Sequence, residues 1–232
     1  MTKRRSQPRA PLTRDELSAL RADDFVRLKL SEDEESVLRE INREREQERR
    51  LRSERLRIEE KPILSDLREL GWEIESVWDF VNSKQKYSTA IDVLLRHLVR
   101  PYSDRIREGI ARALARPGPE TRKAWPVLVE EYRRASSGYG IIAAGDTKEY
   151  RLGYKDGLAA ALSAIASESE TEDLIRLAKD RAQGESRVLL LRAIRKSKSP
   201  LAKQAISELA TDPQLKTEIS SWRAKAGSVE RP

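Results

Sequence analysis

The chain has 232 residues, with 46 basic and 39 acidic side chains, a formal net charge of +7 and no cysteine. The lack of cysteine excludes disulfides, thiolate metal sites and cysteine nucleophiles, and it fits a reducing, cytoplasmic location. Aromatic residues are only 5% of the chain, too few for a β-sandwich or barrel. No apolar run approaches the roughly 18 residues of a spanning helix, so we expect no membrane association.

The N-terminal quarter is predicted to be a charged helical arm. Residues 1–12 are basic and polar and are expected to be a disordered tail, and residues 13–60 form the arm. Thr13 with Glu16, and Ser31 with Glu34, have the spacing of capping boxes that begin helices. The apolar positions of the arm do not keep a heptad pattern, which argues against a stable coiled coil. The arm is therefore interpreted as a solvated helix, with self-association, docking on a partner and RNA binding as the alternatives.

A recurring phrase follows the arm. IREGIARALA from Ile106 aligns with YKDGLAAALS from Tyr154 and SRVLLLRAIR from Ser186. Each phrase is followed or preceded by a second apolar-periodic segment, and these segments align Leu94, Leu128, Leu174 and Ile206 at spacings of 34, 46 and 32 residues. Periods of this size are typical of stacked helical hairpins, in which each hairpin covers the apolar face of the next.

The pattern resembles the HEAT repeat, including the variant found in phycobilisome-lyase-like proteins. The resemblance covers roughly residues 72–212, about four hairpins, and is weakest in the first helix of the first hairpin. It implies an all-α protein whose residues 61–223 form an α-solenoid, an armadillo-type fold, followed by a disordered tail at 224–232. HEAT repeats are defined by shape, so the resemblance points to architecture more strongly than to function.

The spacing of 46 residues contains an insertion at about residues 136–153 that is rich in glycine. Insertions in helical repeats become loops on one face, and such loops often bind ligands. Tyr139, Asp146 and Tyr150 are therefore candidate binding-loop residues, and a plain connector between hairpins is the alternative. The segment lacks the Gly-Lys-Ser/Thr ending of a phosphate-binding loop.

Catalytic and metal-binding patterns are not found in the sequence. His97 is the only histidine and is expected to be structural, so we predict no catalytic residues, no metal and no cofactor. The cations Arg107, Lys155 and Arg187 occupy one column of the aligned phrases. We expect them to pair with acids of adjacent repeats, with ligand binding as the alternative.

The last hairpin carries the strongest basic cluster of the chain. It comprises Arg192, Arg195, Lys196 and Lys198, of which the first three lie at i, i+3 and i+4 on one helical face. This cluster is a candidate anion-binding patch. The alternative is a solvated helix end, where cations oppose the negative end of the helix dipole.

In HEAT arrays the second helix of each hairpin lines the concave groove, so the resemblance implies a partner-binding role for the polar positions of these helices. These groove residues are Asp92, Arg96, Lys123, Glu130, Arg134, Arg176, Lys179, Lys203 and Glu208. Their mixed signs favour a protein or peptide partner over a polyanion.

We therefore expect a non-catalytic scaffold or adaptor for protein–protein interaction. The alternatives are nucleic-acid binding in the manner of HEAT-like alkylpurine DNA glycosylases, and a lyase or cofactor-attachment role.

Overall fold

Helices make up 69% of the protein in the computed structural model, which describes residues 9–227, and the only sheet in that range is a two-stranded hairpin. The predicted all-α class is therefore confirmed. The helices are α1 Arg14–Ala19, α2 Ala22–Arg27, α3 Glu32–Glu69, α4 Trp78–Asn82, α5 Ile91–Leu98, α6 Asp104–Ala113, α7 Pro119–Arg122, α8 Trp125–Arg134, α9 Tyr154–Ile165, α10 Thr171–Lys179, α11 Arg187–Lys196, α12 Pro200–Leu209 and α13 Lys216–Gly227. The strands are β1 Tyr139–Gly140 and β2 Tyr150–Arg151, and short 3₁₀ turns cover Ser88–Ala90, Glu168–Glu170 and Arg181–Ser186.

The chain divides into two compact units, Met1–Glu54 and Arg55–Pro232. The predicted tails fall partly outside the described residues, which exclude 1–8 and 228–232. Helix α13 extends to Gly227, past the predicted end of the repeat region at residue 223. Among residues 9–227, no helix is both long enough and apolar enough to cross a membrane.

The N-terminal unit contains α1, α2 and the first part of α3. Both predicted capping boxes are present, at Thr13 with Glu16 and at Ser31 with Glu34. The backbone amides of Leu12 and Ser31 donate to Glu34 and lower the pKa of its carboxyl group to about 2. These contacts fix the connection between α1 and the start of α3, because a carboxylate that accepts several N–H bonds is held ionised and in place.

Helix α3 does not end at residue 60, where the arm was predicted to stop. Its last turns bury Ile63, Leu64 and Leu67 in the core of the second unit, and Pro62 lies on the exposed side of the helix. The helix ends in a Schellman motif, in which Trp72 N–H donates to Leu67 O and Gly71 N–H donates to Arg68 O. Gly71 has a φ of +81°, a conformation that glycine adopts without steric cost.

The second unit is built from two rows of helices. The first row contains α4, α6, α9 and α11, each packed on the next. In the second row, α5 packs on α6, α8 on α9, α10 on α11, and α12 on both α10 and α11. The predicted apolar column lies in one continuous core: Leu94, Leu128 and Leu174 are fully buried, and Ile206 packs against the same core.

Two glycines of the aligned phrases allow close helix approach in the first row. A Cβ atom at Gly109 would lie 2.8 Å from Trp78 Nε1 of α4, and one at Gly157 would lie 3.1 Å from the backbone oxygen of Glu108 in α6. A side chain at either position would force the helices apart. The third phrase has Leu189 in this column, and that side chain is exposed.

The predicted insertion contains the antiparallel hairpin of β1 and β2, in which Tyr139 pairs with Arg151 and Gly140 with Tyr150. The backbone N–H of Arg105 in α6 donates to Ile142 O at 3.0 Å, which ties the loop to the first row of helices. The insertion is thus a structured loop of the second unit.

Candidate functional site

The predicted groove residues all lie exposed on α5, α8, α10 and α12 or, for Lys123, just before α8. Several of them pair with one another across neighbouring helices. Lys123 Nζ lies 2.7 Å from Asp92 Oδ1, and Lys179 Nζ lies 2.5 Å from Glu208 Oε2. These pairs connect α5 with the start of α8, and α10 with α12, along one face of the second row.

The other groove residues make local contacts. Arg134 pairs with Glu130 at 2.6 Å, Arg176 pairs with Asp173, and Arg96 lies 3.8 Å from Asp66 of α3. Asp173 also accepts from Trp125 Nε1 at 3.1 Å, which links α10 to α8, and the Arg176 and Trp125 contacts lower the pKa of its carboxyl group.

Lys203 is the exception. In the described part of the chain no carboxylate lies within ion-pair distance of it, so it is the groove cation with the most freedom to meet a partner.

A shallow cleft of about 310 Å³ lies between α10 and α12. Ile175, Leu201 and Ala205 supply its apolar surface, and Arg176, Lys179 and Glu208 supply its charged rim. Leu201 is 49% exposed, so part of its side chain is accessible to a partner. The cleft therefore combines an apolar floor with charges of both signs, the composition of a protein-interaction surface.

The basic cluster lies on the exposed face of α11 and just after it. The Arg195 guanidinium stacks over the Trp222 ring of α13 at 4.7 Å, which holds the arginine in one orientation. Among residues 9–227, no carboxylate lies within ion-pair distance of Arg192, Arg195, Lys196 or Lys198. The four cations therefore form a positive surface without internal ion pairs, and Glu168, which accepts the backbone N–H of Lys198 at 2.9 Å, is an acid beside it.

The candidate binding-loop residues have different roles. Asp146 is buried and structural: its carboxylate lies 3.1 Å from Arg55 Nη2 of α3 and accepts the N–H of Ala143. The prediction that Asp146 is available to a ligand is therefore wrong. Tyr139 is 72% exposed, and Tyr150 is partly buried. The hairpin of β1 and β2 is thus held in place by internal contacts, and Tyr139 is its accessible aromatic residue.

His97 belongs to α5, and its side chain is fully buried against α3 and the turn that follows α5. Its Nε2 lies 2.9 Å from Asp66 Oδ2, and its Nδ1 lies 2.7 Å from Tyr102 Oη. Because a carboxylate only accepts, Nε2 carries the hydrogen and Tyr102 donates to Nδ1. Burial lowers the pKa of His97, more than the bond to Asp66 raises it. These contacts assign His97 a structural role.

The column of cations is arranged differently from the prediction. Arg107 of α6 pairs with Glu131 of α8 at 2.6 Å, and Arg187 of α11 pairs with Asp212, just after α12, at 3.0 Å. Glu131 lies in α8 and Asp212 follows α12, so each acid comes from the same aligned unit as its cation. The expectation of acids from adjacent repeats is therefore wrong.

Lys155, the third member of the column, lines a cleft of about 460 Å³ next to the loop that contains β1 and β2. Its Nζ donates to Ala135 O at 2.9 Å and lies 5.1 Å from the centre of the Tyr132 ring. The remaining wall comes from the loop, the start of α9, the turn before α11 and Gln214. The sequence places Lys155 in the column but does not predict this cleft, because residues 184–186 and Gln214 are distant from it in the chain.

A further cleft of about 320 Å³ adjoins Leu152 on the other side of the loop, where the Arg107–Glu131 pair meets Tyr154. Tyr154 Oη donates to Glu131 at 2.7 Å, and burial together with this bond raises the pKa of Tyr154. Asp104 accepts the N–H groups of Gly153 and Tyr154, so the first amides of α9 are occupied. Arg107 Nε is the one atom of these four side chains that is buried without a hydrogen-bond partner among the described residues.

Within residues 9–227, no group of three or more histidine, cysteine, aspartate or glutamate side chains is placed to hold a metal ion. Comparisons with protein-family models, with curated proteins and with solved structures found no match to this chain.

Proposed function

We propose that the protein is a non-catalytic interaction scaffold, in which α4 to α12 form about four HEAT-like hairpins of an α-solenoid and the second row of helices binds a protein or peptide. The two rows of helices and the shared core at Leu94, Leu128 and Leu174 support the architecture. In such an array each hairpin stabilises the next, and the exposed face of one row is a long surface on a rigid support.

The cleft between α10 and α12 is the observation that carries the proposal. Its apolar surface, at Ile175, Leu201 and Ala205, accommodates an apolar side chain of a partner, and the rim offers both a cation and an anion. A polyanion would meet Glu172 and Glu208 there as well as Arg176 and Lys179. A segment of mixed charge fits this rim better, because each of its charges finds an opposite one.

The ion pairs on this face do not compete strongly with a partner. Lys179 and Glu208 are each almost half exposed, and exposed pairs contribute only about 0.2–1 kcal/mol to stability. Exchange of such a pair for contacts with a partner therefore costs little. The same pairs hold the side chains in place before binding, which reduces the conformational entropy that binding removes.

The proposal is tested with a photo-crosslinking amino acid at Gln204, which lines the cleft, and at Arg68 on α3 as a matched exposed control. We expect a specific protein to be captured at Gln204 and not at Arg68. Equal capture at both positions, or no capture at Gln204, would contradict the proposal.

Charge variants then separate binding from folding. Lys179→Glu alone breaks the pair with Glu208, whereas Lys179→Glu with Glu208→Lys restores the pair with reversed polarity. We expect the captured partner to bind both variants at least tenfold more weakly, because the charges that it meets are reversed. Full recovery in the double variant would show that the pair acts only within the protein.

A second candidate function is nucleic-acid binding through the basic cluster, and the lack of ion pairs to those four cations among the described residues favours it. Each phosphate contact made by such a cation contributes about 0.9 to the slope of log affinity against log salt on duplex DNA. A mobility-shift series in salt should therefore give a steep slope that Arg192→Gln with Lys196→Gln reduces by nearly 2. An unchanged slope would leave the cluster without this role.

A further inference from the structure

The three cations that share one column of the aligned phrases have unequal sets of partners. Arg187 donates to Asp212, Gln214 and the backbone oxygens of Ala178 and Gly184. Arg107 pairs with Glu131, but Lys155 makes one hydrogen bond, to a backbone oxygen. In the described part of the chain, no carboxylate lies within ion-pair distance of Lys155 Nζ.

Asp180 is the acid that acts on Lys155, but only from beyond ion-pair distance: burial lowers the pKa of the ammonium group more than the charge of Asp180 raises it. In the alignment Asp180 falls where Asp212 falls in the next repeat. Both carboxylates accept a backbone N–H two residues on, from Ala182 and from Gln214. Asp212 also reaches Arg187, whereas the exposed Asp180 accepts from Gln183 Nε2 at 2.7 Å instead.

The position of Lys155 is energetically unusual. The residue is only 4% exposed, and burial lowers the pKa of its ammonium group. A buried charge without a partner costs several kcal/mol, and an ammonium group has three hydrogens to donate. Of the other buried charged side chains in the described range, all but Glu60 have an ionic partner. Glu60 accepts two hydrogen bonds, and burial raises the pKa of its carboxyl group toward the neutral form.

The unpaired ammonium adjoins open space. The 460 Å³ cleft that Lys155 lines is within the size range of small-molecule sites, and the exposed residues Tyr139 and Glu185 are among its lining. Gly138 and Gly184, both at positive φ, leave the backbone on two sides of the cleft uncovered by side chains. An anionic group of modest size could therefore lie beside Lys155 where Asp180 does not.

We propose that this cleft binds the carboxylate group of a ligand, which supplies the acid that Lys155 lacks within its own hairpin. A carboxylate fits better than a phosphate dianion because Asp156 and Glu185 line the same cleft and would repel the second charge. Arg151 on the rim is already shared between these two acids, at 3.7 and 3.4 Å. The proposal does not depend on the second row of helices or on the scaffold function.

The test uses the full chain with acetate as the probe and inorganic phosphate as the comparison, both at constant ionic strength balanced with chloride. Acetate should raise the unfolding temperature along a saturating curve and shift the ¹⁵N–¹H signal of the Lys155 ammonium group. Phosphate should do so less. Lys155→Met should abolish both acetate effects, and Lys61→Met, which removes an exposed lysine of α3, should leave them unchanged.

The variant also separates ligand binding from a structural role. Without acetate, Lys155→Met should be at least as stable as the wild type, because a buried unpaired charge is replaced by an apolar chain of similar length. Loss of stability in this variant together with no acetate response in the wild type would overturn the proposal. An equal acetate response in the variant would overturn it as well, and a stronger response to phosphate would refute the assignment to a carboxylate.

Discussion

Arg187 and Lys155 occupy equivalent positions in successive aligned phrases, and both are buried, but only Arg187 has a complete set of partners. Around Arg187 the protein supplies a carboxylate, a side-chain amide and two backbone oxygens. Around Lys155 it supplies one backbone oxygen, the face of the Tyr132 ring and a cleft. The same position of the aligned phrases is therefore filled by internal partners at Arg187, and at Lys155 it has the space that the proposed carboxylate would occupy.

The largest effect that follows from this comparison is on stability at Arg187. Arg187→Met should lower the free energy of unfolding by about 3 kcal/mol or more, because the backbone oxygens of Ala178 and Gly184 and the side chain of Gln214 lose their donor. Asp212 keeps Arg181 as a cation at 3.3 Å, so its charge contributes less to the loss. The change is measured by urea unfolding, with Lys155→Met as the matched control that should lose nothing. Similar losses in both variants would show that the two positions are energetically alike, against the comparison.

Arg107 is expected to give an intermediate result. Its pair with Glu131 is supported by Tyr154, which donates to the same carboxylate and lies 3.9 Å beneath the Arg107 guanidinium. Arg107→Met should therefore cost about 1–3 kcal/mol in urea unfolding, since Glu131 keeps one donor. The double variant with Glu131→Gln should recover part of the loss, because the uncompensated charge is gone. No recovery would mean that the packing of Arg107 on Tyr154 matters more than the charge.

The sequence predicts those features that depend on local pattern. The capping boxes at Thr13 and Ser31 and the buried column at Leu94, Leu128 and Leu174 follow from spacing alone, because neighbouring turns and stacked helices impose it.

The sequence does not predict partners that the fold brings together from a distance. Asp146 meets Arg55, which is 91 residues away, and this contact removes it from the surface. Asp180 and Asp212 are the same residue type in the same column and both accept a backbone N–H of the turn that follows, but only Asp212 also reaches the cation of its column. The sequence predicts that the charged arm ends at residue 60, nine residues before the end of α3. The core residues of α3 follow a long charged stretch and a proline, and this pattern hides the continuation of the helix.

The smallest effect on stability is expected at His97. Like Arg187, this residue is buried with a full set of partners, but its side chain is neutral. Burial lowers the pKa of His97 below the value of about 6.5 that it has in the unfolded chain. Between these two pKa values the unfolded state binds more protons, so the contribution of His97 to stability is present above pH 6.5 and is lost as the pH falls. Asp66, Tyr102, Arg96 and Arg100 are its polar and charged neighbours, and the two arginines act in the same direction as burial.

Urea unfolding at pH 5, 6 and 7 measures this contribution in the wild type and in His97→Gln. Burial raises the pKa of Glu60, Asp104 and Asp156, and these carboxyl groups give the opposite slope, so the difference between the two proteins is the relevant quantity. The variant should be less stable at pH 7 and should approach the wild type as the pH falls to 5. His97 is the only histidine, so no other imidazole contributes to that difference. A constant difference across the three pH values would mean that His97 does not change its protonation with unfolding in this range.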